Sequence, residues 1–299
     1  MSLVIIGSVA FDTIETPYGR REKIVGGSGT YSAVAASFFT RPGLVSVIGQ
    51  DFPRLFLQIL KSRGIDLQGL KRLKGKTFHW HGVYGLDPNK RTTLKTEMNV
   101  LGKFKPVIPE SYRQAEIVFL SNLNPEIHDS ILSQVPGARL VAMDTIRFWI
   151  ENKPEALLKA IQKVDILFAN EEESRLMAEE LNLVKAGRKL QASGPKIIIV
   201  KKGEHGAMVF GRDFVFGVIA HPCEKVIDPT GAGDAFAGAF LGYLDSRGKF
   251  NRREIKKAAV YGNLVASLAI EDFGLDGLLR ATEADLIERY REFKKMVSF

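Results

Sequence analysis

The 299-residue chain has a single cysteine, Cys223. One thiol excludes an internal disulfide and suits a reducing compartment, so the cytoplasm is the expected location. Cys223 reads as a small, half-buried side chain, because no Cys or His stands at metal-ligand spacing from it. Long apolar runs are missing as well. Stretches such as 138–143 and 196–200 are far too short to cross a bilayer. No basic segment precedes Leu3-Val4-Ile5-Ile6-Gly7, so neither a signal peptide nor membrane contact is expected. Aromatic residues make up 9% of the chain and do not interleave with the basic clusters at 71–76 and 252–257. That pattern argues against nucleic acid as a partner. The net charge of +8, from 42 basic and 34 acidic residues, reads instead as surface charge that favours anionic substrates. Internal repeats and low-complexity linkers are absent, so one domain over 1–299 is expected.

What the chain does have is an alternation of short apolar runs with longer amphipathic ones. Strands are expected at 3–7, 44–49, 117–120, 140–144, 166–169 and 196–201. Most are apolar throughout, as in a sheet covered on both faces. Helices are expected at 29–39, 53–63, 126–134, 154–162, 171–181, 232–245, 252–268 and 282–293. Right-handed crossovers between them predict an α/β fold, a doubly wound and mainly parallel sheet with helices on both faces. Ligands then gather at the carboxyl ends of the strands. Segments 12–25 and 77–98 break the rhythm. The second alternates polar and apolar residues around Asp87-Pro88-Asn89-Lys90, a hairpin signal. Together the two segments predict a small antiparallel sheet projecting as a lid.

The run Val226-Ile227-Asp228-Pro229-Thr230-Gly231-Ala232-Gly233-Asp234-Ala235-Phe236 reads as a glycine turn feeding a helix. Backbone N–H groups at Gly231, Ala232 and Gly233 and the positive helix end suit an anion. Asp234 falls in the first helical turn, where it could take a proton from an attacking hydroxyl. An aspartate stabilising the helix start is the plainer reading of the same position. Phe236 stands where a dinucleotide fingerprint needs its third glycine, and no Gly-Lys-Ser/Thr follows as a Walker loop would require.

The Asp-Pro-Thr-Gly-Ala-Gly-Asp-Ala-Phe string resembles the second signature of the ribokinase-like (PfkB) family of carbohydrate and nucleoside kinases. Gly26-Gly27-Ser28-Gly29-Thr30-Tyr31 resembles the first signature, with Tyr31 where many sugar kinases carry the Asn that binds substrate hydroxyls. That departure leaves room for a larger or flatter substrate. The resemblance implies a ribokinase-like fold with a β lid and ATP-dependent phosphorylation of a hydroxyl on a small sugar or polyol. A nucleoside kinase of the same fold is the alternative, with Phe11, Tyr31, His79 and Trp80 as candidates to stack on a base. A non-catalytic, ligand-binding relative is the reading from outside the enzymes.

The resemblance assigns Asp234 the role of general base, with Gly231, Ala232 and Gly233 as the anion hole. Asp228 and Thr230 belong to the same turn, Asp228 bracing it or the metal waters. Asn170 and Glu173 form an N-x-x-E pair implied to organise Mg²⁺ through water, although helix capping explains the pair locally. Lys201-Lys202-Gly203-Glu204-His205-Gly206 looks like the loop beside the ATP phosphates, with Lys202, Gly203 and Gly206 as nucleotide contacts and Lys201 or Lys202 as the charge. Asn263 is implied to border the adenine. Substrate candidates are Asp12, Gly26, Gly27, Ser28, Tyr31, Asn122 and Arg147. Asp12 is equally a turn residue, and Arg147, in the partial D-x-N-x-R element Asp144-Thr145-Ile146-Arg147, is equally a surface ion pair. A monovalent cation and pairing of two subunits through the lid edge fall within what the family allows.

Overall fold

The computed structural model describes residues 2–298. The strands are β1 (Leu3–Ile6), β2 (Ala10–Thr16), β3 (Gly19–Gly26), β4 (Gly43–Ile48), β5 (Leu70–Arg72), β6 (Phe78–Tyr84), β7 (Arg91–Glu97), β8 (Ile117–Leu120), β9 (Leu140–Asp144), β10 (Ile166–Asn170), β11 (Ile197–Lys201), β12 (Ala207–Phe210) and β13 (Val215–Val218). The helices are α1 (Ser28–Ala36), α2 (Arg54–Ser62), α3 (His128–Leu132), α4 (Arg147–Asn152), α5 (Pro154–Ile161), α6 (Glu171–Ala178), α7 (Leu183–Ala192), α8 (Ala232–Arg247), α9 (Arg252–Ala269), α10 (Asp276–Arg280) and α11 (Glu283–Val297).

Nine strands form one sheet in the order β13-β12-β11-β10-β9-β8-β1-β4-β5. All neighbours from β11 to β5 run parallel, and β12 and β13 add an antiparallel edge. Strand side chains alternate between two cores. Leu3, Ile5, Phe119, Phe168 and Ile199 pack with α1, α8 and α9 on one face. Val4, Ile6, Leu120, Leu167 and Val200 pack with α3, α5 and α7 on the other. Burial on both sides is why these strands read as continuous apolar runs. Every residue of α1 is buried. Small residues permit this, because Gly238 and Gly242 of α8 lie directly against the α1 backbone at Ser32 and Ala36.

The order reverses at β1, whose neighbours are β4 and β8. Such a switch point leaves a crevice at the strands' carboxyl ends. Ser8, Ser121, Asp144, Asn170 and Lys201 all stand at that edge, at or just beyond the ends of five strands.

The smaller sheet has the order β3-β2-β6-β7 and is built from the two segments that broke the rhythm. Its two hairpins are internally antiparallel, but the central pair β2/β6 is parallel, which corrects the expectation of an all-antiparallel sheet. Both hairpins leave the body of the protein in the same sense, so their first strands align. β3 carries two residues, Glu22 and Lys23, where β2 has Thr13 alone, and Lys23 takes φ +51. Such a bulge bends a strand, here one residue from Asp12.

Candidate active site

Helix α8 starts from Gly231, at φ +75, a conformation that costs any other residue steric strain. A Cβ there would also lie 2.3 Å from the Tyr31 ring. Buried Asp228 braces the turn by accepting hydrogen bonds from the Thr230 N–H at 2.9 Å and the Gly274 N–H at 2.8 Å. Thr230 Oγ1 donates to Tyr84 Oη at 3.2 Å, tying the turn to the smaller sheet. N–H groups of a first helical turn lack partners within the helix, and the dipole makes them an anion site; here the Ala232 N–H also donates to the Pro229 carbonyl at 3.3 Å. Lys201 stands beside it, its Nζ 3.0 Å from where a Gly233 Cβ would be. Its ammonium donates to Asp144 Oδ2 at 2.5 Å. Burial works against the charge on Lys201, but Asp144 and Glu173 outweigh it and hold the amine above its ordinary pKa. The result is a fixed cation next to an anion cradle.

Asp234 is the third residue of α8 and half-buried. Burial, and then the negative charge of Asp144, push its carboxyl up to about 7, against the pull of Lys201 and Arg91. A base poised near neutral pH suits proton abstraction from a hydroxyl. Asp12 on β2 is buried against Gly26 and accepts a hydrogen bond from the Gly27 N–H at 3.4 Å. Burial, then the charge of Asp228, raise it to about 7, and Asp234 adds to the shift. Asp12 and Asp234 therefore feel each other across one cleft. A Cβ on Gly26 would lie 1.9 Å from Asp12 Oδ2. Gly26→Ala is expected to displace that carboxylate and cut kcat/KM for the acceptor by about 10²-fold. Circular dichroism should stay native; unchanged kinetics would remove Asp12 from the acceptor site.

The remaining sequence candidates divide. Gly27 caps α1 at φ +94, and Ser28 is occupied by Ser8, with the two hydroxyls 3.1 Å apart. Tyr31 is fully buried, its ring wedged under Gly231, so it offers no flat face to a larger substrate. Its hydroxyl has no protein partner. Asn170 and Glu173 form a complete capping box, the Asn170 N–H donating to Glu173 Oε2 and the Glu173 N–H to Asn170 Oδ1, both at 2.8 Å. Asn170 ends β10 at the crevice, and burial raises the Glu173 carboxyl to about 7, with Lys201 opposing and Asp144 adding. No cluster of three His, Cys, Asp or Glu residues able to hold a metal exists among the described residues. The donor set fits a hydrated Mg²⁺ reached through its waters, because this ion sheds water reluctantly.

Arg147 is exposed and paired with Glu151 at 2.6 Å and Glu172 at 2.7 Å, so the phosphate role gives way to a surface ion pair. Asn122 accepts a hydrogen bond from Trp149 Nε1 at 2.9 Å. Asn263 donates to the Ile219 carbonyl at 2.8 Å, anchoring the chain after β13 to α9. Between Lys201 and Lys202, Lys201 enters the site. Gly203 meets the tip of the β6–β7 hairpin, where Asn89 Nδ2 donates to Glu204 Oε2 at 2.6 Å, and Gly206 closes the loop against the Val218 carbonyl. Arg91 of β7 escaped the sequence reading. It is exposed at the cleft, paired with Tyr84 across β6 and β7, and its charge lowers the carboxyls of Asp12, Asp144, Glu173 and Asp234 against the rise from burial. As a charged residue in an alternating wet hairpin it carried no local signal.

The fold and this crevice define the ribokinase-like class. A nucleoside kinase from Methanocaldococcus jannaschii superposes with a TM-score of 0.77 at 23% identity, over 98% of this chain and 99% of that one. An E. coli structure reported as a ribokinase II with ATP and Mg²⁺ gives 0.81 at 20% identity, over 98% and 100%. The pfkB family carbohydrate kinase pattern matches residues 1–281. The chain belongs to that family and is a kinase of its carbohydrate and nucleoside group. Among curated relatives, a cytidine kinase from Thermococcus kodakarensis is 35% identical over 256 residues, 83% of this chain and 90% of that protein.

Proposed function

We propose that this protein transfers the γ-phosphoryl group of ATP to a hydroxyl of a nucleoside. The observation that carries the reading is the start of α8, where an anion-binding turn and a carboxylate raised to about 7 lie within the four residues 231–234 and the half-buried Lys201 ammonium stands beside them. Asp12 accepts hydrogen bonds from the sugar hydroxyls and fixes the acceptor. Asp234 takes the proton of the attacking hydroxyl. The N–H groups of residues 231–233, with Lys201 behind them, stabilise charge on the phosphoryl in flight. Asp144 keeps Lys201 in place, and Asp228 holds the turn rigid. Bound Mg²⁺ would neutralise phosphate oxygens, addressed by Asn170 and Glu173 through water. The smaller sheet acts as a lid that excludes water.

A nucleoside is favoured over the small sugar or polyol expected first, because the similarity to a cytidine kinase extends over most of both chains. ADP release with Mg-ATP over nucleosides, free sugars and polyols tests the reading. Turnover with a nucleoside at low millimolar concentration or below is expected. Turnover only with free sugars would return the acceptor to that class.

A further inference from the structure

Trp80 is one of two tryptophans in the chain and is half-buried on β6. Its register partner across the parallel pair is Asp12. Paired residues lie on the same face of a sheet, and adjacent strands are about 4.8 Å apart. The indole therefore stands beside the carboxylate read as the acceptor's anchor. It lies flat along its own strand, over Gly82. A Cβ on Gly82 would come 2.0 Å from ring atom Cη2 and 2.2 Å from Cζ2. Nε1 donates to Thr93 Oγ1 on the neighbouring strand at 3.2 Å. The ring also packs against the small cluster of Ile14, Tyr84 and Phe273. A notch, a hydrogen bond and a packed edge thus fix a large aromatic ring beside Asp12. The Arg91 guanidinium sits 5.7 Å from the ring centroid. The guanidinium covers that face as a planar, polarisable partner, and a base entering there takes its place or stacks between the two.

We propose that Trp80, seated on Gly82, is the stacking platform for the base of a nucleoside acceptor and so discriminates nucleosides from free sugars. The proposal rests on the phosphotransfer reading above and adds a specificity-determining residue to it. With the ribose held at Asp12, a base attached to the same ring is carried over the neighbouring indole. A free sugar has no π-face and gains nothing there. Base–aromatic stacking corresponds to about a 5- to 150-fold change in affinity on truncation.

Two readouts test it. Without ATP, cytidine or adenosine should quench tryptophan fluorescence, ribose at equal concentration should not, and Trp80→Phe should abolish the quench. With ATP, Trp80→Leu and Gly82→Ala should each raise the nucleoside KM about tenfold or more while kcat stays within about threefold. Trp80→Phe, which keeps an aromatic face, should retain most of the affinity. Normal nucleoside KM in both Trp80→Leu and Gly82→Ala, or a full quench in Trp80→Phe, would overturn the platform and leave the kinase reading standing. Turnover of ribose but of no nucleoside by the wild type would overturn both.

Discussion

Asp234→Asn is expected to lower kcat by about 10²- to 10⁴-fold, the range a positioned general base supplies. ATP affinity should change little, because the turn and Lys201 remain. The same substitution is expected to stabilise the folded protein at pH 8. Asp234 has its folded pKa raised from 3.8 to about 7, chiefly by burial and by Asp144. In the window between those values the unfolded chain gives up this proton and the folded chain keeps it. Wild-type stability from this group is thus fully present below about 4 and lost as pH rises through 7. Asn carries no ionisation cost, so the stability advantage of the variant should be absent near pH 4, grow with pH and level off above 7. Chemical denaturation at several pH values reads this directly. The pH profile of kcat/KM carries the catalytic half. Activity should fall on the acid side with an apparent pKa near 7, as the base takes up its proton. A variant that keeps near-normal turnover, or a profile flat through pH 6–8, would remove Asp234 from the proton-transfer step.

The start of α8 was legible in the sequence because its parts are adjacent in the chain. The run 226–236 is local: turn, anion site and base are covalent neighbours, so their geometry follows from glycine and from the start of a helix. The same holds for the parallel strands, whose burial on both faces writes continuous apolar runs. β8 and β9 fall on the expected boundaries, 117–120 and 140–144. The structure adds α4, α7, α10, β5, β12 and β13 to the expected elements. The three added strands have only three or four residues each, and the edge pair β12/β13 is interrupted by glycines, so neither period nor length stood out. α7 is started by Asn182, whose side chain accepts from the N–H groups of Val184 and Lys185, but Gly187 at the Phe210 ring weakens its helical signal.

Long-range partners were the harder part. Lys201 and Lys202 are equivalent in sequence, and only strand register decides that Lys201 reaches Asp144 and the turn. Asn170 and Glu173 satisfy capping and crevice placement together, so local chemistry could not separate the two readings. Tyr31 is a further case. Its place where many sugar kinases carry Asn pointed to a larger or flatter substrate, and only the fold shows that its ring packs into the space left by the missing Gly231 side chain.

Arg91 is the residue with most at stake outside the recognisable motifs. Its cationic head belongs to the smaller sheet, while the carboxylates it acts on come from β2, β9, α6 and α8. Removing it should therefore separate two effects. Arg91→Met keeps length and loses charge, and kcat is expected to fall about 10²- to 10³-fold, the range that follows loss of one group facing a developing charge. Because Arg91 holds the Asp234 carboxyl down, the acidic limb of the surviving activity should also move to higher pH. Arg91→Lys retains the charge without the planar fork and should restore the limb more fully than the rate. A merely structural arginine would move the melting temperature and leave both the limb and kcat in place. Stopped-time ADP assays from pH 6 to 9 on the three proteins distinguish these cases. The joint shift would make the lid a supplier of catalytic charge as well as a cover over the site.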